Sequence, residues 1–283
     1  MERSLLETLQ FFISILQLVY IFLFSSKNFI DYGQWAIVTG PTDGIGRPWR
    51  LSCPERSQSR PRRPESRQAQ PSLKRNEAEV PGVELKTVVI DLSGDLSEGI
   101  RNLKDAIKEI DVGILVNNAG LSQKKPMFFH EIDEEMWGKI VRVNLVAPTV
   151  VTAAVLPSML QRRRGAIINI GSGSTVIPSF PLYAVYTGTK GYISSLSKSL
   201  HTEYKQITNI TPTLRPSFFI ATPSQYACSA IRCIRYGPEC IPYWSHFILY
   251  YLVQLSPADC IVNRVLLRSA LQKRKNAISM AKK

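Results

Sequence analysis

At 283 residues the chain is long enough for one large α/β domain with a well-buried core. The net charge of +13 is concentrated rather than spread. Residues 47–75 alone carry nine Lys/Arg against two Glu, which argues against an anionic partner for the chain as a whole. Five cysteines form no C-x-x-C pair and no ligand spacing with the three histidines, which excludes a disulfide framework and a zinc site.

In chain order, the first feature is an apolar run. Nineteen uncharged residues, Thr8 to Ser26, lie between Glu7 and Lys27, enough to span a hydrocarbon core. Residues 1–30 therefore read as a membrane anchor. A cleaved signal peptide is disfavoured, because the run is too long and only Ser25-Ser26-Lys27-Asn28 follows it. A buried or interfacial helix is the other reading.

The short apolar run Trp35-Ala36-Ile37-Val38 leads into Thr39-Gly40-Pro41-Thr42-Asp43-Gly44-Ile45-Gly46. A strand, a T-G-x-x-x-G-x-G turn and a helix make a dinucleotide-binding unit. Its glycines let backbone approach a pyrophosphate, and the helix N-terminus offers N–H groups to the anion. Residues 47–80 break the expected alternation. They show no helical or strand period, and five prolines between Pro48 and Pro71 forbid a regular helix. The composition is that of a loosely attached segment. A nucleic-acid-binding arm is disfavoured, since no aromatic residue interleaves its charges after Trp49.

Order is expected to return at Lys86–Asp91, read as a strand ending in an acid, followed by helical spacing at Ile100, Leu103 and Ile107. Val112–Val116 is a buried-type strand running into Asn117-Asn118-Ala119-Gly120. Trp137, Ile140, Val141 and Asn144 continue a helix, and Ala166–Ile170 is a further strand before Gly171-Ser172-Gly173-Ser174. Strands alternating with helices at this pitch predict a Rossmann-like, doubly wound parallel sheet. Ligands of such sheets bind at the carboxyl ends of the strands, where Thr39-Gly40, Asp91, Asn118-Ala119-Gly120 and Ser172 all fall.

Next comes Tyr186-Thr187-Gly188-Thr189-Lys190. Tyr and Lys four apart share a helix face, and an ammonium beside a phenol is expected to lower the tyrosine pKa and make it a usable general acid. Alone the spacing is weak, and a surface helix pair would satisfy it. Further on, Tyr226–Arg235 is a helix candidate. Phe247–Leu255 is an apolar stretch too short to span a bilayer, suited to membrane-surface contact, an acyl tunnel or a core helix. Arg264–Lys283 is basic, as of a tail at a membrane surface.

Together T-G-x-x-x-G-I-G, N-N-A-G, Asn144, Ser172 and Y-x-x-x-K resemble the short-chain dehydrogenase/reductases. Within that superfamily the chain is most similar to the membrane-bound very-long-chain 3-oxoacyl-CoA reductases of fatty-acid elongation, the plant members above all. These are relatives of the 17β-hydroxysteroid dehydrogenases of types 3 and 12. The residues that carry this are Trp35–Gly46, Asp111–Gly120, Gly165–Asn169 and Pro242-Tyr243-Trp244.

The resemblance implies NADPH as cofactor, a 3-oxoacyl-CoA substrate and no metal. Tyr186 would protonate the ketone oxygen, and Lys190 would tune it and bind the nicotinamide ribose. Ser172 would polarise the ketone, and Asn144 would hold a relay water. Thr39, Gly40, Thr42, Asp43, Gly44, Ile45 and Gly46 would cradle the cofactor. Asp91 would accept from the adenine amine, and Asn118, Ala119 and Gly120 would line the adenosine side. The family spaces its serine thirteen before the tyrosine. Here Ser172 is fourteen before and Ser174 twelve, and Ser172 is preferred because Gly-Ser-Gly follows the strand. Asn144 could instead only bridge helix backbone, and Asp91 only cap the next helix.

The resemblance also implies an endoplasmic-reticulum membrane protein with a cytosolic catalytic domain over 31–255 and a basic tail over 256–283. Elongase subunits and a second copy of the chain are its implied partners. Two departures set it apart. Residues 47–80 replace a strand–helix unit and resemble a frameshifted version of it. After Lys205 the chain reads as a deletion that removes a late strand. The alternatives are a steroid or other lipid dehydrogenase, or a non-catalytic, damaged homologue.

Overall fold

The computed structural model describes residues 32–40, 86–175, 177–205, 209–215 and 259–281. Its centre is a parallel sheet in the order β1 (Trp35–Val38), β2 (Val112–Asn117), β3 (Arg164–Ile170) and β4 (Asn209–Arg215). Val38 sits opposite Val116, and Val116 opposite Ile168, so the carboxyl ends of the first three strands lie side by side. Every residue of β2 is buried, as is all of β3 after Arg164, which explains their unbroken apolar composition.

The helices follow from spacing and capping. α1 (Ser97–Ile107) buries Leu103 and Ile107, one turn apart. α2 (Glu134–Val141) is capped by Asp133, whose carboxylate accepts from Met136 N at 2.7 Å. It runs through a π turn, Arg142–Val146, into α3 (Ala147–Gln161). Val151, Val155 and Met159 of α3 join Leu103, Ile107, Val112, Leu115 and Ile167 in the main core. Among the described residues, the run 134–161 is the one helix long and apolar enough to cross a membrane. Its packing against the sheet accounts for that composition. The expected anchor over 1–30 lies outside the described residues.

Two close contacts explain residues at the amino ends of the strands. A Cβ on Gly113 would stand 2.3 Å from Gly33 N, so β1 and β2 approach there only because both positions are glycine. Asp111 gathers the starts of three strands. Its carboxylate pairs with Arg162 and with Arg164 (2.9 Å) and accepts from Gln34 N at 3.2 Å.

Two expectations are corrected. Lys86–Asp91 forms no strand, although Val88 and Ile90 turn toward the core and Val89 is 84% exposed, the alternation that suggested one. A ladder needs a neighbour, and among the described residues no strand pairs with this segment. Conversely, the late strand expected to be missing is present. β4 pairs in parallel with β3 from Arg164↔Asn209 to Ile170↔Arg215. Its Pro212 is compatible with the edge position that β4 holds among the described strands.

The basic segment after residue 256 is helical as α5 (Asp259–Ala281). Arg274 grips both carboxylate oxygens of Glu131, donates to Pro126 O at 3.3 Å and stands 5.1 Å over the Phe128 ring. The Arg274 hydrogen bonds to Glu131, with that from Phe128 N, hold the Glu131 carboxyl below its usual range. Tyr226–Arg235 and Phe247–Leu255 lie outside the described residues.

Candidate active site

The first wall of the site joins the ends of β1 and β2. Thr39 Oγ1 accepts from Asn118 N (3.0 Å) and Ala119 N (3.1 Å), while Asn118 Nδ2 donates to the carbonyls of Thr39 and Gly40, each at 3.0 Å. Asn118 is thereby a brace between two strand ends. Gly40 has φ +61°, and a Cβ there would stand 3.0 Å from Ala119 Cα, so a side chain is excluded twice over. Thr42, Asp43, Gly44, Ile45 and Gly46 lie outside the described residues. Asp91 is exposed, and its Oδ1 accepts from Ser93 N (2.9 Å) and Ser93 Oγ (2.7 Å). These bonds to Ser93 hold its carboxyl below the ordinary value. It closes a turn rather than capping α1, and Asp95 is the residue that accepts from Ser97.

The second wall is built on the π turn. The extra residue of such a turn rotates the helix face, and here Asn144 is buried toward the site. Its Oδ1 accepts from Leu121 N at 2.7 Å, and its Nδ2 donates to Leu121 O (2.8 Å) and Thr189 Oγ1 (3.1 Å). Asn144 therefore bridges the backbone of the loop after β2, not the helix backbone considered from sequence, and ties that loop to Thr189.

The third wall is β3 and α4 (Ala184–Lys205). Ser172 and Ser174 are both buried, and Ser174 donates to Ser172 Oγ through its N–H (3.2 Å) and its hydroxyl (3.0 Å). Of the two, Ser172 is the one whose hydroxyl acts on the Tyr186 phenol, pulling its pKa down. One turn on, Lys190 is buried, donates to Ile170 O at 2.8 Å and stands 5.9 Å from the Tyr186 ring centroid. Gly120 lies beside it, and a Cβ there would be 3.6 Å from Lys190 Nζ and 3.7 Å from Asn144 Oδ1. Thr39, Gly40, Asn118, Ala119, Gly120, Asn144, Ser172, Tyr186 and Lys190 thus converge at the carboxyl ends of the strands, whereas the contacts of Asp91 run to Ser93 and Gly94.

The electrostatics differ from expectation. Burial pushes the Tyr186 phenol up, with the Ser172 hydrogen bond pulling it back, whereas Lys190 was expected to lower it. Burial also lowers Lys190 to about 8. The ammonium donates to the Ile170 carbonyl, which favours the charged form against that burial. At neutral pH this arrangement holds a protonated phenol beside a lysine that is still largely a cation, the form needed to donate a proton.

Sequence reading passed over Thr189, which donates to Tyr186 O at 2.7 Å while accepting from Asn144. It also passed over a buried polar chain beneath the site. Asn117 donates to Thr152 (3.0 Å) and Asn169 (2.8 Å), and Asn169 to Ser197 (2.7 Å). Amides placed opposite each other in two buried strands were the available signal.

A parallel sheet with Ser, Tyr and Lys gathered at its strand ends is the arrangement of an oxidoreductase that moves hydride and proton together. The chain belongs to the short chain dehydrogenase family, whose model matches residues 34–218. It is 38% identical over 259 residues (85% of the chain, 82% of the relative) to a very-long-chain 3-oxoacyl-CoA reductase-like protein of Arabidopsis thaliana. It is also 30% identical over 265 residues (85% and 79%) to the inactive hydroxysteroid dehydrogenase-like protein 1 of Homo sapiens. Among solved structures, a metagenomic short-chain oxidoreductase in complex with NADP superposes with a TM-score of 0.59 at 23% identity, covering 74% of this chain and 96% of that one. That likeness is one of fold.

Proposed function

We propose that this chain reduces a very-long-chain 3-oxoacyl-CoA to the 3-hydroxyacyl-CoA, with NADPH, at the endoplasmic-reticulum membrane. The observation that carries the reading is the gathering of buried Ser172, Tyr186 and buried Lys190 at the strand ends, with Lys190 donating to Ile170 O and standing 5.9 Å from the Tyr186 ring centroid, in a chain 38% identical to the Arabidopsis relative.

The residues fit a nicotinamide cofactor. Gly40 and Gly120 form a ledge free of side chains, and the Lys190 ammonium, a three-donor group, gives one bond to Ile170 and keeps capacity for ribose hydroxyls. Gly40, Asp91, Asn118, Ala119, Gly120, Tyr186 and Lys190 would hold it, together with Thr42–Gly46. When bound, NADPH supplies hydride to C3 of the substrate. Tyr186 donates its proton to the ketone oxygen, which Ser172 polarises by hydrogen bonding. Asn144 holds the loop that bears Gly120, and through Thr189 it holds α4. An anchor over 1–30 keeps the domain at the cytosolic face of the membrane, beside other elongase subunits or a second copy.

A second reading, a non-catalytic homologue, is favoured by segment 86–91, which forms no strand, and by the human relative whose name calls it inactive. One experiment separates them: NADPH binding by the detergent-purified full chain, with turnover of a 3-oxoacyl-CoA in wild type and Tyr186→Phe. Binding, with turnover lost in Tyr186→Phe, is expected. No binding by a folded protein overturns the enzyme reading.

A further inference from the structure

The loop that follows β2 touches more than the cofactor side of the site. Leu121 is bonded to Asn144, and two residues on, Gln123 Nε2 donates to Leu182 O at 2.7 Å; Met127 N donates to the same carbonyl at 3.2 Å. Leu182 has φ +67°, a left-handed conformation that costs a residue bearing a Cβ about 1 kcal/mol or more. It must be held there, and the two hydrogen bonds hold it. Its side chain is 7% exposed, so it is fixed from both ends.

The position of Leu182 matters because α4 begins two residues later and Tyr186 lies in its first turn, where Thr187 N bonds Tyr183 O at 3.0 Å. The conformation of Leu182 therefore sets the direction in which α4 starts. Gln123 is itself 3% exposed, and its Oε1 has no partner among the described residues. An amide buried with half its capacity unmet is a poor stabiliser. Its value lies in what the other half holds.

We propose that Gln123 is a positioning residue, which by holding the Leu182 carbonyl sets where the Tyr186 phenol meets Ser172. The inference rests on the proposed reductase function, and it joins the cofactor-side loop to the catalytic helix through one carbonyl.

Gln123→Met tests it, keeping length and apolar packing while removing the donor. Two readouts need no turnover. Hydrogen exchange of amides in 182–187 is expected to rise about tenfold, the loss of one hydrogen bond, while α1 and β2 are unchanged. Tyrosinate absorbance, taken as a difference against Tyr186→Phe in the same background, is expected to show a displaced Tyr186 midpoint. With a 3-oxoacyl-CoA, kcat should fall about tenfold with KM for NADPH unchanged, because the contact acts on the phenol and not on the cofactor ledge.

Gln123→Glu serves as the second variant and stands in if Gln123→Met does not fold. It should match the loss at pH 8 and recover protection near pH 5, where a protonated carboxyl can again donate. Unchanged exchange and midpoint, exchange raised equally throughout the chain, or no recovery at pH 5 would each overturn the proposal. An inactive wild type would sink the reductase reading instead, and exchange and titration would still decide the role of Gln123.

Discussion

Asn144 donates to Thr189 Oγ1 at 3.1 Å, and Thr189 is the residue immediately before Lys190. The π turn of one helix is thus joined, through the Thr189 hydroxyl, to the helix that carries both Tyr186 and Lys190. Thr189→Val keeps the shape and removes the hydroxyl. It should lower stability by about 1–3 kcal/mol, since the buried Asn144 amide loses an acceptor. Thr189→Ser should recover most of that loss in a thermal melt.

Ser172 and Ser174 are separable by kinetics. Ser172 acts on the phenol as a hydrogen-bonding neighbour that lowers its pKa, whereas the Ser174 N–H and hydroxyl both donate to Ser172. Ser172→Ala is expected to reduce kcat by about 10²–10³-fold, the range for losing an oxyanion donor. Ser174→Ala should cost about tenfold or less. The Ser172 variant should also raise the Tyr186 midpoint further, because that bond is what opposes the effect of burial. Comparable losses in the two variants would remove the distinction.

Lys190 gives stability a pH dependence of definite sign. Its folded value is about 8, against an ordinary value of 10.5. Between those limits the unfolded chain keeps a proton that the folded chain has released, so this group's contribution to stability rises with pH across the window. Below about 8 both states are protonated, and the penalty of burying the cation is present in full. Lys190→Met should therefore stabilise the protein near pH 7 by up to about 3 kcal/mol, from the size of the shift. That gain should shrink as denaturation is repeated from pH 8 toward 10.5, while turnover is lost throughout.

Gly113 is a packing position far from the chemistry. A methyl group there meets the backbone of Tyr32 and Gly33 rather than a yielding side chain. Gly113→Ala should cost about 1–3 kcal/mol through separation of β1 from β2. A lower urea midpoint with an unchanged Ser172–Tyr186 site would confirm a structural role.

Much of the site was legible because its chemistry is local in sequence. A Tyr and a Lys four apart can only share a helix face, and a glycine or serine directly after a buried apolar run can only sit at a strand end. Those rules placed Gly40, Asn118, Gly120, Ser172, Tyr186 and Lys190 before any coordinates. The rules failed where a partner was needed from elsewhere. Lys86–Asp91 has the alternation of a strand, yet alternation supplies no ladder. Asn209–Arg215 was passed over because the loop that should follow it was not recognisable, although the edge of β3 was open to it.

The sequence by itself determined the parallel α/β class, the strand-end location of the site and the pairing of Tyr186 with Lys190. Each depends on periods of two to four residues that the backbone enforces. Tertiary structure alone decided which serine faces the phenol, that Asn144 is bound to Leu121 and Thr189, and that burial rather than Lys190 dominates the acidity of Tyr186. Those outcomes depend on residues brought together from 14 to 45 positions apart and on the water their packing removes. No local pattern records either.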